Sequence, residues 1–248
     1  MLIYKYFGGF NGFLTAVYFA YHGKGMPELI TETYDFQISF DTEIIEIEPD
    51  EKMVELVVKG IDKKLSDGFE QIVRAYRSEL PDRDTIIFDW LKFLFKNGGE
   101  RTVSMVNQPE IIRFNDLQRK IGFEIHKMIA FLRFRELTNG IMYAPFRPEH
   151  DITAFLVDHF IERNMDQSFI IHDIGRNIFA LYNTKEVQIV QNDDRMNVEL
   201  TENEEIYRTL WQEYYKNVTI QSRTNKKAHR QFMPIRFWEF MNEVNNSF

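Results

Sequence analysis

The chain of 248 residues contains no cysteine. It can therefore form no disulfide, supply no thiolate to a metal or an iron–sulfur cluster, and offer no cysteine nucleophile. Long hydrophobic runs are also missing, since no apolar stretch reaches the ~18 residues expected of a membrane span. The opening MLIYKYFGGFNGFLTAVYFAYHGKG lacks the basic start of a secretion signal and is broken by Gly8, Gly9 and Gly12. A strand over 2–7 leading into a helix over 10–21 accounts for it better, so a soluble, cytoplasmic protein is expected. Glycine-rich phosphate loops, G-x-S-x-G and H-E-x-x-H are absent as well, which weighs against the common hydrolase and nucleoside-triphosphatase classes.

What is present is aromatic and unevenly charged. Twenty-three Phe, eleven Tyr and three Trp supply ample apolar area for a core without covalent staples. The net charge is −8, but residues 1–110 hold 19 acids against 12 bases, whereas the remainder is close to neutral. Within that remainder two stretches are basic. Residues 111–135 carry six bases against Asp116 and Glu124, and residues 216–236 carry six bases and no acid. Local patches of this kind, not the global charge, decide contact with phosphate.

Hydrophobic spacing predicts an α+β protein. After the first strand and helix, residues 36–48 alternate as extended chain, and Pro49-Asp50 opens a helix. Further helices are expected over 69–80, 84–96 and 110–127, so the part over 1–128 is mainly helical. From Ile129 the texture changes. IAFLRFREL and GIMYAPF read as two extended runs joined by Thr138-Asn139-Gly140, a hairpin signal. A helix to Arg163 and three short strands (168–173, 177–183 and 185–190) follow, giving an antiparallel sheet crossed by one helix. Thr201 with Glu204 forms a capping box for a helix over 202–216, and a last helix follows Pro234. No linker separates the part over 1–128 from that over 129–248, and the two can share one core.

Polar residues on apolar faces single out candidate functional positions. Along the helix DITAFLVDHFIERN, the 100° step per residue places His159 and Arg163 within the arc of Ile152, Phe155, Leu156 and Phe160. A guanidinium facing inward needs an anion, for which Asp166 and Asp173 are candidates. Either a structural knot or a phosphate-binding pocket meets that requirement. His150-Asp151 and His172-Asp173 invite a metal reading, but their spacing builds no tidy ligand set and no metal is expected. Strand alternation would put Ile129, Phe131, Arg133 and Arg135 on one face, an aromatic among arginines of the kind that holds single-stranded nucleic acid. The tail IQSRTNKKAHRQFMPIR, with Arg223, Lys226, Lys227 and Arg230, has a similar mixture.

The string APFRPEHDITAFLVDHFIERNMDQSFIIHDIGRNIFALY resembles a bacterial family of unknown function associated with DNA metabolism. FGGFNGFLTAVYFAY, EIHKMIAFLRFREL and RTNKKAHRQFMPIRFWEFM extend the likeness over nearly the whole chain. It departs at Phe7-Gly8-Gly9-Phe10, where relatives carry an aspartate after the aromatic, and at Met128-Ile129-Ala130-Phe131, where a glycine often precedes the phenylalanine. The resemblance implies a setting: members sit beside a radical-SAM protein similar to spore photoproduct lyase, and some are fused to a domain like uracil-DNA glycosylase. It also implies that an iron–sulfur cluster and S-adenosylmethionine belong to that partner, with no cofactor in this chain. His159, Arg163, Gln167, His172, Asp173 and Arg176 match the family's segment.

Three functions follow as expectations. The first is a DNA-metabolism or repair accessory protein that binds single-stranded or damaged DNA, or a modified nucleotide, alongside the radical-SAM enzyme. The second is a nuclease or glycosylase-like hydrolase with His172 as base and Asp173 as its orienter. The third is a protein-only adaptor for the radical-SAM partner.

Overall fold

The computed structural model describes residues 1–23, 25–34, 40–192, 198–220, 222 and 225–241. The extended segment expected over 36–39 and the basic Arg223 lie outside these residues. The chain is α+β and divides into two compact units, residues 1–122 and 123–248. Among the described residues no helix is long and apolar enough to cross a membrane.

The first unit is built on β1 (Leu2–Tyr6), α1 (Gly9–His22), β2 (Leu29–Thr31), β3 (Glu43–Ile47), α2 (Glu51–Lys64), α3 (Gly68–Tyr76), α4 (Arg83–Asn97) and α5 (Gly99–Ser104), with the first part of α6 (Pro109–Phe131). Its three strands are parallel in the order β2-β1-β3. The central strand is buried on both faces, so Ile3, Tyr4, Lys5 and Tyr6 are all enclosed and alternation is lost. Gly8 bends the chain from β1 into α1 with φ 73°. Gly12 is required by close approach, because a Cβ there would lie 1.7 Å from the Phe7 carbonyl oxygen. Asp50 caps α2 as its position after Pro49 predicts, accepting from the amides of Lys52 and Met53.

Beyond the carboxyl ends of these strands the first unit closes with a polar knot. The Tyr6 hydroxyl donates to Asp84 Oδ2 at 2.7 Å and lies 3.1 Å from the Tyr76 hydroxyl. Arg83 donates from Nε to Asp84 Oδ1 at 2.9 Å, with its guanidinium 3.9 Å over the Tyr76 ring. Burial, then the Asp84 charge, pushes the Tyr6 phenol far above its ordinary value, and burial pushes Tyr76 up to about 12. Tyr6→Phe would leave Asp84 Oδ2 without this donor. The expected loss is about 1–2 kcal/mol, read as a lower urea midpoint for the first unit.

The second unit takes the end of α6, then β4 (Arg135–Glu136), β5 (Met142–Phe146), α7 (Thr153–Arg163), β6 (Phe169–Asp173), β7 (Ile178–Tyr182) and β8 (Val187–Gln191). α8 (Glu202–Val218), α9 (Lys226–Phe232) and a 3-10 turn over Ile235–Phe240 complete it. The sheet order is β4-β5-β6-β7-β8. Its ladders are antiparallel except that β5 and β6 run parallel. That corrects the all-antiparallel expectation: α7 lies between β5 and β6 in sequence and acts as a crossover, which returns the chain in the same direction.

Two further differences concern local signals. Residues 129–131 close α6 instead of opening a strand, because Ile121, Ile125, Met128 and Leu132 form a buried stripe at helical spacing. The hairpin follows, with Gly140 at φ 79° between β4 and β5. α8 begins where the capping box places it, but the box does not form. Thr201 Oγ1 is buried without a partner, and the Glu204 carboxylate accepts instead from the Glu136 amide of β4 at 3.2 Å. Within the basic connection before Pro234, Lys226–Phe232 are helical, as α9.

Candidate functional site

α7 buries Thr153, Leu156, Val157 and Phe160. The buried arc is turned by roughly 70° from the one that Ile152 and Phe155 suggest, since Ile152 stands before the helix and Thr153 and Val157 join the face. Arg163 consequently does not point into the core. It is exposed in the last turn, where a cation suits the helix dipole, and no described acid meets it. His159 lies at the edge, half-buried, with its ring 5.1 Å from Phe160 and Nε2 enclosed without a partner. Gln167 is exposed in the turn that follows.

The anion expected beside Arg163 serves Arg176. Asp173 is fully buried at the end of β6, where Oδ1 accepts from the amides of Gly175 and Arg176 at 2.9 and 3.3 Å. Its Oδ2 accepts from Arg176 Nη1 at 2.8 Å. The same guanidinium donates to the carbonyls of Pro148 and Glu149, tying the approach to α7 to the β6–β7 turn. Glu124 of α6 makes a second knot. It is 1% exposed and accepts from the amides of Glu149 and His150, both at 2.9 Å. Arg236 stands 3.6 Å from Glu124 and also pairs with Glu149.

Strand alternation turns His172 away from Asp173. The His172 ring stacks on Phe179 at 3.9 Å, and Nδ1 is 2.7 Å from the Tyr143 hydroxyl. No carboxylate of the described residues orients the imidazole, so the geometry lends no support to Asp173 as the orienter of a His172 base. Burial holds the imidazole below its ordinary 6.5, opposed by the Asp173 charge and the Asn177 side chain. A depressed histidine favours the folded state while neutral and penalises it once protons are taken up more readily by the unfolded chain. Its contribution is therefore complete above about pH 6.5 and lost as the pH falls. The urea midpoint of the second unit is expected to drop between about pH 7 and pH 5, and to drop less in His172→Gln. An equal drop in the variant would contradict this assignment.

The end of α6, the end of α7 and α8 enclose an open groove of about 580 Å³. Arg133, Phe134, Phe160, Arg163, Asn164 and Trp211 line it. Phe134 is fixed by edge contacts to Phe160 and Phe169, at 5.1 and 5.6 Å. Arg133 donates to the Ala130 and Leu132 carbonyls at 2.8 and 3.2 Å, satisfying the end of α6 while bordering the groove. Trp211 is 47% exposed, so its ring is available to stack. Arg135 is held elsewhere: it donates to the Phe240 carbonyl at 3.1 Å, and burial with the nearby Arg208 charge lowers its pKa. Lys227 and Arg230 are exposed on α9, with no ion pair among the described residues. Trp211 was not among the candidates from sequence. Its exposed neighbours Tyr207 and Tyr214 at helical spacing are the signal that marks an uncovered aromatic face.

Among the described residues no cluster of three or more His, Asp or Glu is placed to hold a metal. The site that fold and geometry define is thus a cationic, aromatic groove on a mixed-sheet α+β unit, and two buried carboxylate knots hold the approach to α7 elsewhere in the same unit. Residues 81–243 match the family described as a domain of unknown function, DUF4130, and the chain belongs to it. No curated protein and no solved structure matches the chain.

Proposed function

We propose that the protein is a DNA-metabolism accessory factor whose second unit binds single-stranded or damaged DNA in the groove between α6, α7 and α8. The observation that carries this reading is the pairing of Arg133 and Arg163 with the exposed ring of Trp211 around one open groove. Guanidiniums meet phosphates while an aromatic face stacks on a base without regard to sequence. Lys227 and Arg230 add two exposed cations on α9 of the same unit. The partner in this reading is a radical-SAM enzyme similar to spore photoproduct lyase. It brings the iron–sulfur cluster and S-adenosylmethionine, for which this chain has no thiolate.

Fluorescence anisotropy with a labelled single-stranded oligonucleotide at about 50 mM salt tests the proposal. Wild type should bind, and affinity should fall with salt by a log–log slope of about −0.7 per phosphate contact. Arg163→Glu should weaken binding about tenfold or more and flatten that slope, while Trp211→Ala should cost about 1–3 kcal/mol of binding. No binding, alone or with the radical-SAM protein, would reject it.

One observation favours the adaptor reading as a second possibility. α8 exposes Ile206, Leu210 and Val218 besides Tyr207, Trp211 and Tyr214, more apolar surface than a solvated helix needs. Co-purification with the radical-SAM protein, abolished by Leu210→Glu in a chain without DNA affinity, would favour it over the first.

A further inference from the structure

A concavity in the first unit, in the acidic part of the chain, is not used by the DNA-binding proposal. It encloses about 790 Å³ between α1, α2 and α4. That is the size of a site for a single small molecule. Its walls are aromatic. Tyr18 and His22 stack at 4.4 Å with 13° between their planes, and Tyr21 meets Phe95 edge-on at 5.1 Å.

Its charge is opposite in sign to that of its surroundings. Residues 1–110 carry 19 acids and 12 bases, yet among the described residues lining this pocket there is no acid. Its polar rim is His22, Lys92 and Lys96. Lys92 is paired with Asp89 at 2.7 Å, but Lys96 is exposed and no described carboxylate pairs with it. The two lysines are four positions apart on α4, one turn apart on the same side of the helix, and with Lys92 held by Asp89 it is Lys96 that is left to meet an anion.

A second observation points to an occupant. Gly60, inside α2, also lines the pocket. An added Cβ there would find only Phe95 Cε1, at an ordinary 3.7 Å. Neither packing nor a left-handed φ requires this glycine, although glycine inside a helix weakens it relative to alanine. What its missing side chain provides is open space over the Phe95 ring.

We infer that the first unit binds a small planar aromatic molecule carrying one anionic group, its ring over Gly60 against the Tyr21–Phe95 pair and its anion at Lys96. The stacked Tyr18–His22 pair closes one side, and Met26 and Leu56, 47% and 54% exposed, flank the entrance. This inference stands on a different unit from the DNA-binding proposal and survives or fails independently of it.

The test is calorimetric titration of the full chain with 2-naphthoate, its neutral analogue 2-naphthamide, and dodecanoate. One equivalent of 2-naphthoate should bind, with 2-naphthamide about tenfold weaker because it lacks the charge that meets Lys96. Lys96→Glu, a surface change, should remove that preference without changing affinity for the amide. Gly60→Leu should abolish binding of both, with circular dichroism confirming that the helices persist. Equal affinity for acid and amide, or an acid preference unchanged in Lys96→Glu, would overturn the role of the cation. Tighter binding of dodecanoate would overturn the aromatic class in favour of a lipid chain. No binding at millimolar 2-naphthoate would overturn the site itself.

Discussion

Glu124→Ala is expected to destabilise the second unit by about 3–5 kcal/mol, the range for removing one partner from a buried, fully bonded charge. The cost has separable parts. Two amide donors, of Glu149 and His150, lose their acceptors at the entrance to α7, and each buried unsatisfied group costs about 1–3 kcal/mol. Arg236 also loses one of its two carboxylates, a smaller effect because its side chain is 45% exposed and Glu149 still holds it. Urea unfolding followed at the exchange-protected amides of the sheet would measure the total, and hydrogen exchange at the Glu149 and His150 amides would locate it. Glu124→Gln keeps one acceptor oxygen but turns an NH₂ toward a backbone donor, so it should recover only part of the loss. A near-neutral Glu124→Ala with unchanged protection at 149 and 150 would show that water replaces the carboxylate.

How far the sequence anticipates this arrangement depends on the range over which each signal acts. Local chemistry is legible. Asp50 caps α2, Asn139-Gly140 turns the β4–β5 hairpin, and Pro81 separates α3 from α4, because each effect reaches only a few residues. Signals that need a neighbour are not. Alternation over Ile129–Arg135 looks like a strand until the stripe from Ile121 through Met128 to Leu132 is followed across it. Thr201 and Glu204 satisfy the pattern of a capping box, yet a strand amide competes successfully for the glutamate. Glu124 lies three residues after Ile121 on that same buried stripe, so the reasoning that singled out His159 and Arg163 would have found it too. Arg163 falls outside the core by a modest rotation of the helix. That rotation is set by which of Phe155 and Val157 the sheet receives, and composition carries no record of the choice.

The last strong effect is at Asp173. Asp173→Ala should cost about 3–5 kcal/mol, since this carboxylate is fully enclosed and all its bonds go to groups that cannot turn to bulk water without opening the β6–β7 turn. Asp173→Asn keeps Oδ1 for the two amides but sets an amide NH₂ against the Arg176 guanidinium, so an intermediate loss is expected. Arg176→Ala should cost a comparable amount: water can reach the Pro148 and Glu149 carbonyls it vacates, but the fully enclosed Asp173 carboxylate is left without its cation. A second readout separates the lost charge from the lost turn. The Asp173 charge pulls the His172 imidazole upward against burial, so Asp173→Asn should shift the histidine titration to still lower pH. Arg176→Ala removes a cation instead and should move that titration the other way. Histidine chemical shifts followed against pH in the two variants would decide it. A titration unmoved by both would mean that the strand screens His172 from the knot completely, and that the two polar residues ending β6 act independently.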